Sequence, residues 1–160
     1  MIKGFRIRPA VSADVPLILS FVRELAEYER MLNEVVATED VMREWLFEKE
    51  KAEVLIGELN GEPVAFALFF HNFSTFLGRA GMYLEDLYVR PKARGKGIGT
   101  SMLKHLAKLT VERGCGRLEW SCLDWNTDSI KFYLSLKAKA MDGWTTYRLA
   151  GDTLEQLANS

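Results

Sequence analysis

The spacing of apolar positions changes period repeatedly along this chain, and each change marks an element. Phe5 and Ile7 alternate with arginines before Pro9, which predicts a first strand. Leu17, Ile18, Phe21, Val22, Leu25 and Tyr28 then recur at three- and four-residue spacing, the stripe of a half-buried helix that Ser12 or Asp14 can cap. Thr38, followed by Glu39 and Asp40, opens a second helix buried through Val41, Met42, Trp45 and Leu46. Glu53–Leu59 and Val64–His71 read as strands joined at Asn60-Gly61, a strong hairpin signal. A loop over 72–79 leads to a strand over Ala80–Val89. Ile98, Met102, Leu103, Leu106 and Leu109 then make one face of a third helix, ended by Gly114-Cys115-Gly116. The rest predicts a strand over Leu118–Leu123, a short helix after Asn126 and Thr127, a closing strand over Trp144–Leu149 and a terminal helix through Leu154 and Leu157.

That order of elements describes an α/β or α+β layer with a mixed sheet. At 160 residues and 48% hydrophobic content, with no repeat, linker or low-complexity segment, a single domain over 1–160 is expected. The net charge of -1 provides no general attraction to nucleic acid or anionic membrane. No apolar run approaches the roughly 20 residues that span a bilayer. The start of the chain lacks the parts of a signal peptide, and Cys115 and Cys122 form no disulfide framework, so the expected setting is the cytoplasm. His71 and His105 stand far apart and no cluster has ligand spacing, so no metal is expected.

Local charge is far less even than the total. Between Glu24 and Asp40 there are six acids and one arginine, a wall suited to a cation. Between Leu87 and Val111 there are six Lys or Arg and no acid. Within that basic stretch, Arg94-Gly95-Lys96-Gly97-Ile98-Gly99-Thr100 carries three glycines at alternate positions just where the third helix begins. Such a turn converges backbone amides on one point, with the positive end of the helix dipole behind them, and so suits phosphate. It is not a P-loop, because Lys96 is followed by Gly97 rather than Ser or Thr. Nor is it a dinucleotide fingerprint, because the glycines are spaced G-x-G-x-G and lie past the middle of the chain.

The turn resembles the acyl-CoA site of the GNAT superfamily of N-acetyltransferases, whose signature is Arg/Gln-x-x-Gly-x-Gly/Ala at a strand-to-helix turn; Arg94, Gly97 and Gly99 match it. The preceding Tyr83-Leu84-Glu85-Asp86-Leu87-Tyr88-Val89, the later Asp124-Trp125-Asn126 and Ile130-Lys131-Phe132-Tyr133 are similar to the diamine (spermidine/spermine) and thialysine branch. The resemblance implies the GNAT fold, a mixed twisted sheet of about six to seven strands whose central parallel strands splay apart. It implies acetyl-CoA as co-substrate, lying along the backbone of Leu87, Tyr88 and Val89, with its phosphates on the 94–100 turn and further contacts from Asn126, Ser129 and Tyr133. It implies Glu85 as the base that accepts the amine's proton and Tyr133 as the acid that protonates the departing sulfur. Tyr28, Glu29, Glu85, Glu119, Trp120 and Ser121 fall where the branch contacts its amine. A homodimer is the usual assembly.

Each assignment has a plainer counterpart. Glu85 can be a carboxylate paired within the sheet, Tyr133 a core tyrosine beside Ile130 and Leu134, Asn126 simply a helix cap, and Ser129 an ordinary first-turn serine. Strand alternation places Asp86 opposite Glu85, in a structural role. Two departures stand out: Met31-Leu32-Asn33 replaces acids that polyamine enzymes carry, and Lys137-Ala138 stands where a glycine is usual. The sequence therefore points to transfer of acetyl from acetyl-CoA to a small cationic amine in a ternary complex, without separating diamine, polyamine and thialysine. A protein or peptide acetyltransferase of the same fold, and a non-catalytic acyl-CoA-binding module, are the alternatives.

Overall fold

The computed structural model describes residues 2–160. They form two compact units, the first ending at Ser121 and the second spanning Cys122–Ser160. The first unit contains β1 (Phe5–Pro9), α1 (Val15–Tyr28), α2 (Glu39–Arg43), β2 (Glu53–Leu59), β3 (Glu62–Ser74), β4 (Arg79–Val89), α3 (Ile98–Glu112) and β5 (Leu118–Trp120). The second contains α4 (Thr127–Ser135) and α5 (Gly151–Ala158).

Among the described residues the strands make one five-stranded sheet in the order β1-β2-β3-β4-β5. All pairings are antiparallel except β4 with β5, which is parallel. This is the expected mixed α/β architecture with fewer strands than the six to seven predicted. Trp144–Leu149, expected as a closing strand, is not one. All six are exposed, and a strand needs a partner ladder as well as a pattern. The strand predicted over Leu118–Leu123 is only its first three residues. In the other direction, the predicted 72–79 loop shrinks to a four-residue turn, because β3 continues to Ser74 and β4 begins at Arg79.

The core lies between the sheet and α1 on one face and α3 on the other. Phe21 stacks on Phe66 with ring centroids 5.1 Å apart, and Tyr88 meets Phe21 edge-on. Ile18, Val54 and Ile56 close this cluster, and Leu68 packs against it. α3 contributes Ile98, Met102, Leu103 and Leu106, all buried. Thr38 caps α2 by accepting from the Val41 amide, as its position predicted. α2 runs on into a π-helical turn over Glu44–Glu48. On β2, next to the edge strand, Glu58 is buried and accepts from Arg6 at 2.7 Å and Arg8 at 3.2 Å on β1, so its carboxyl titrates below the ordinary range.

Three helices end in the same Schellman geometry. The residue just past the cap turns left-handed, and two back-bonds close the last turn. In α3 that residue is Gly114, with φ of 72° and bonds Gly114 N-H to Val111 and Cys115 N-H to Thr110. In α1 it is Arg30 at φ 63°, and in α4 it is Lys137 at φ 65°. The missing glycine at Lys137 therefore leaves the turn's shape intact and places a side chain in a strained backbone conformation.

Candidate active site

β4 has two different edges. On one side it pairs with β3 along most of its length, from Ser74↔Arg79 to Ala65↔Val89. On the other, β5 pairs with only three residues, Met82, Leu84 and, between them, Tyr83. From Glu85 to Val89 that second edge has no strand beside it among the described residues, which is the parting of parallel strands that the resemblance implies. Just before the parting, the Tyr83 hydroxyl and Ser121 Oγ lie 2.8 Å apart and tie the two strands together.

The same point carries a β-bulge. Phe69 pairs with Leu84 and the next residue of β3, Leu68, pairs with Asp86, so Glu85 has no cross-strand partner. Cross-strand neighbours share a face of the sheet. Asp86 therefore shares the face of Leu68, Phe66 and Tyr88, the one covered by α1, although Leu84, two residues earlier, faces the α3 side with Phe69. Simple alternation, which assigned the two carboxylates to opposite faces, does not hold across a bulge. Glu85 is exposed and Asp86 is largely buried.

Glu29, the cap residue of α1, completes a group of three carboxylates. Burial raises its carboxyl above the ordinary range. Asp86 is pushed up to about 7, first by burial and then by the negative charges of Glu85 and Glu29. Sequence reasoning gave Asp86 a structural role. Its signal was the tandem of acids inside an apolar strand, but the bulge that turns Asp86 toward α1 comes from pairing and is not written in local sequence.

The glycine turn follows directly on β4. Gly95 and Gly97 take φ of 78° and 82°, a left-handed backbone that glycine adopts without strain. A Cβ built on Gly95 would meet nothing within 4 Å, so the turn opens to its surroundings. Gly97 caps α3, whose first back-bond runs from the Ser101 amide to the Gly97 carbonyl. The amides of Ile98, Gly99 and Thr100, which precede that bond, are those a helix start leaves for a ligand. Arg94 donates from Nε to the Val89 carbonyl at 2.8 Å, which pins the turn to the end of β4. Lys96 is exposed. Tyr88 is 7% exposed with its ring in the core, so Leu87, Tyr88 and Val89 offer a ligand backbone rather than the tyrosine ring.

The remaining predicted residues are placed as follows. Tyr28 ends α1, next to Glu29. Glu119, on β5, is held by Arg117 at 3.0 Å and by Asn72 Nδ2 at 3.3 Å. Trp120 ends β5 and Ser121 follows it. Asn126, Ser129 and Tyr133 belong to the second unit. There Asn126 caps α4 by accepting from the Ser129 amide at 3.3 Å, and Tyr133 is half-buried with its ring 5.5 Å from that of Phe132. Among the described residues no group of His, Cys, Asp or Glu is arranged to hold a metal ion, and no helix is long and apolar enough to cross a membrane.

A strand that loses its parallel neighbour beside a group of carboxylates, one of them largely buried, and runs straight into an open glycine turn at a helix start, is the arrangement of an acyl-group transferase. Comparison with known proteins agrees: residues 19–137 match the acetyltransferase (GNAT) family, and the chain belongs to that family. It is 36% identical to a thialysine N-epsilon-acetyltransferase of Bos taurus, over 95% of this chain and 96% of that protein. It is 30% identical to an L-ornithine N5-acetyltransferase of Arabidopsis thaliana, over 95% and 87% respectively. Among solved structures, an integron cassette protein from the mobile metagenome of V. cholerae superposes with a TM-score of 0.82 at 29% identity, covering 98% of this chain and 99% of that one. The chain is an acetyltransferase acting on amines.

Proposed function

We propose that this enzyme moves the acetyl group of acetyl-CoA to the primary amine of a small cationic substrate, a diamine, a polyamine or a thialysine-like amino acid, by direct attack in a ternary complex. The observation that carries this reading is the meeting of Glu29, Glu85 and Asp86 beside the free edge of β4. A cation is attracted to such a group, and the reaction needs a carboxylate there. An alkyl amine with a pKa near 10 is mostly protonated at neutral pH and attacks only after losing that proton.

The residues of the turn fit a pyrophosphate. Arg94, Gly95, Lys96, Gly97, Ile98, Gly99 and Thr100 would hold it through amides and positive charge, while the backbone of Leu87, Tyr88 and Val89 receives the pantetheine arm. Asn126, Ser129 and Tyr133 complete the coenzyme contacts. Acetyl-CoA supplies an activated thioester carbonyl and a thiolate leaving group. Glu85 holds the ammonium and accepts its proton, directly or through water, and Tyr133 gives a proton to the departing sulfur. Tyr28, Glu29, Glu119, Trp120 and Ser121 form the amine pocket with Glu85. Both units work as one catalytic domain, since the family match runs across their boundary. The working protein is a cytoplasmic homodimer.

The test is thiol release from acetyl-CoA with putrescine, spermidine, thialysine, ornithine, lysine and a basic peptide. Turnover is expected to favour one small amine, with Tyr133→Phe and Glu85→Gln each reducing kcat by at least about a hundredfold, the low end of what general acid–base catalysis contributes. Preference for the peptide over every small amine would refute the substrate class. Variants that match the wild type would refute the residue roles.

A further inference from the structure

Arg94 reaches out of the coenzyme turn to two other elements. Its Nε bonds to the Val89 carbonyl, as described above. Its guanidinium carbon lies 5.2 Å from the centroid of the Tyr28 ring, at the last residue of α1, and 5.5 Å from that of the buried Tyr88. The contact with Tyr88 is also electrostatic: burial and Glu24 raise that hydroxyl's pKa, and Arg94 opposes them. A guanidinium is planar, so fixing Nε while two rings flank its carbon restricts the directions open to its two terminal nitrogens. Those nitrogens donate to none of the described residues, and Arg94 is exposed.

We propose that Tyr28 serves the coenzyme through Arg94: its ring, at the amine-binding end of α1, holds the guanidinium fork in the orientation that receives phosphate, and so couples the two substrate sites. This rests on the reading of the 94–100 turn as the coenzyme's phosphate site. Tyr28 is a positioning residue in this role, distinct from any contact it makes with the amine. The coupling is reciprocal, because whatever Tyr28 adds to coenzyme binding the coenzyme returns by fixing Tyr28 against the amine pocket. Lysine in place of Arg94 keeps the charge but neither the Nε bond nor the flat face.

The test is calorimetric titration of coenzyme A into the wild type, Tyr28→Phe, Tyr28→Leu, Arg94→Lys and the Tyr28→Leu/Arg94→Lys double variant at one salt concentration, without any amine. Tyr28→Leu is expected to weaken coenzyme A binding about two- to fivefold, the range of an exposed cation–π contact. Tyr28→Phe, which keeps the ring, is expected to bind like the wild type. In the Arg94→Lys background the leucine substitution is expected to cost nothing more. Tyr28→Leu binding like the wild type, or costing as much again in the Arg94→Lys background, would overturn the coupling while leaving the phosphate site standing. A wild-type protein that does not bind coenzyme A would overturn both.

Discussion

Asp86→Asn tests the electrostatics of the site without needing its substrate. In the folded protein the carboxyl titrates near 7, against 3.8 for an ordinary aspartate. Between those values the folded chain holds a proton that the unfolded chain has released, so the folded state binds more protons and stability falls as pH rises. The loss begins near pH 4, is complete a little above pH 7, and amounts to about 4 kcal/mol at 1.36 kcal/mol per pH unit. Asparagine resembles the neutral carboxyl and suffers no such loss. The variant is therefore expected to gain on the wild type by up to about 4 kcal/mol between pH 4 and pH 8, or roughly 8–16 °C in Tm for a chain of this length. Urea unfolding at pH 4.5, 6 and 8, followed by tryptophan fluorescence, gives the difference directly, and the other acids cancel because both proteins carry them. Glu29→Gln, which removes one of the two charges acting on Asp86, should reduce the wild type's slope in part. Parallel stability curves for Asp86→Asn and the wild type would refute the buried-carboxylate reasoning.

Three further outcomes follow from the geometry. Lys137→Gly should stabilise α4 by about 1 kcal/mol by relieving a left-handed non-glycine residue, read as slower amide exchange at Lys137 and Ala138; unchanged exchange would show that the turn carries no strain. Gly97→Ala places a Cβ at φ 82°, with an expected cost of about 1–2 kcal/mol and weakened coenzyme A binding by calorimetry, and wild-type affinity would contradict the cradle. The carboxyls of Asp14, Glu53 and Glu58 are held low chiefly by hydrogen bonds from Arg8, Arg113 and Arg6 respectively. Their contribution is present above pH of about 4.3 and is lost as pH falls through their folded values, so Glu58→Gln should show a shallower acid limb in a Tm-versus-pH series.

What was legible in the sequence is what neighbours in the chain decide. Asn60 and Gly61 take φ of 53° and 81°, as a tight hairpin turn requires, and the left-handed values at Gly95 and Gly97 follow from glycine at alternate positions. What was not legible depends on partners distant in sequence. The aromatic and β-branched residues of Trp144–Leu149 suit a strand but do not say whether another strand lies beside it. The one-residue slip between Leu68 and Phe69 is a property of two strands together, and neither strand's pattern betrays it. The surroundings of Arg94 were half visible: its place in the glycine turn is written in the local sequence, but the rings of Tyr28 and Tyr88 that lie beside it come from other parts of the chain.

The bulge and the loss of pairing fall at the same residue for a physical reason. β5 pairs with β4 only as far as Leu84, and Glu85 is both the first residue beyond that ladder and the one left over on the β3 side. A regular strand continued through this point would keep Asp86 on the same face as Leu84, the α3 side, away from Glu29. One extra residue instead turns the chain so that a second carboxylate lies under α1, while the backbone beyond it has left the β5 ladder, with the Val89 carbonyl taken by Arg94 Nε. A sheet defect of this kind costs ladder bonds, and here it brings two features together within a few residues: a group of carboxylates, and a stretch of β4 that β5 does not pair with.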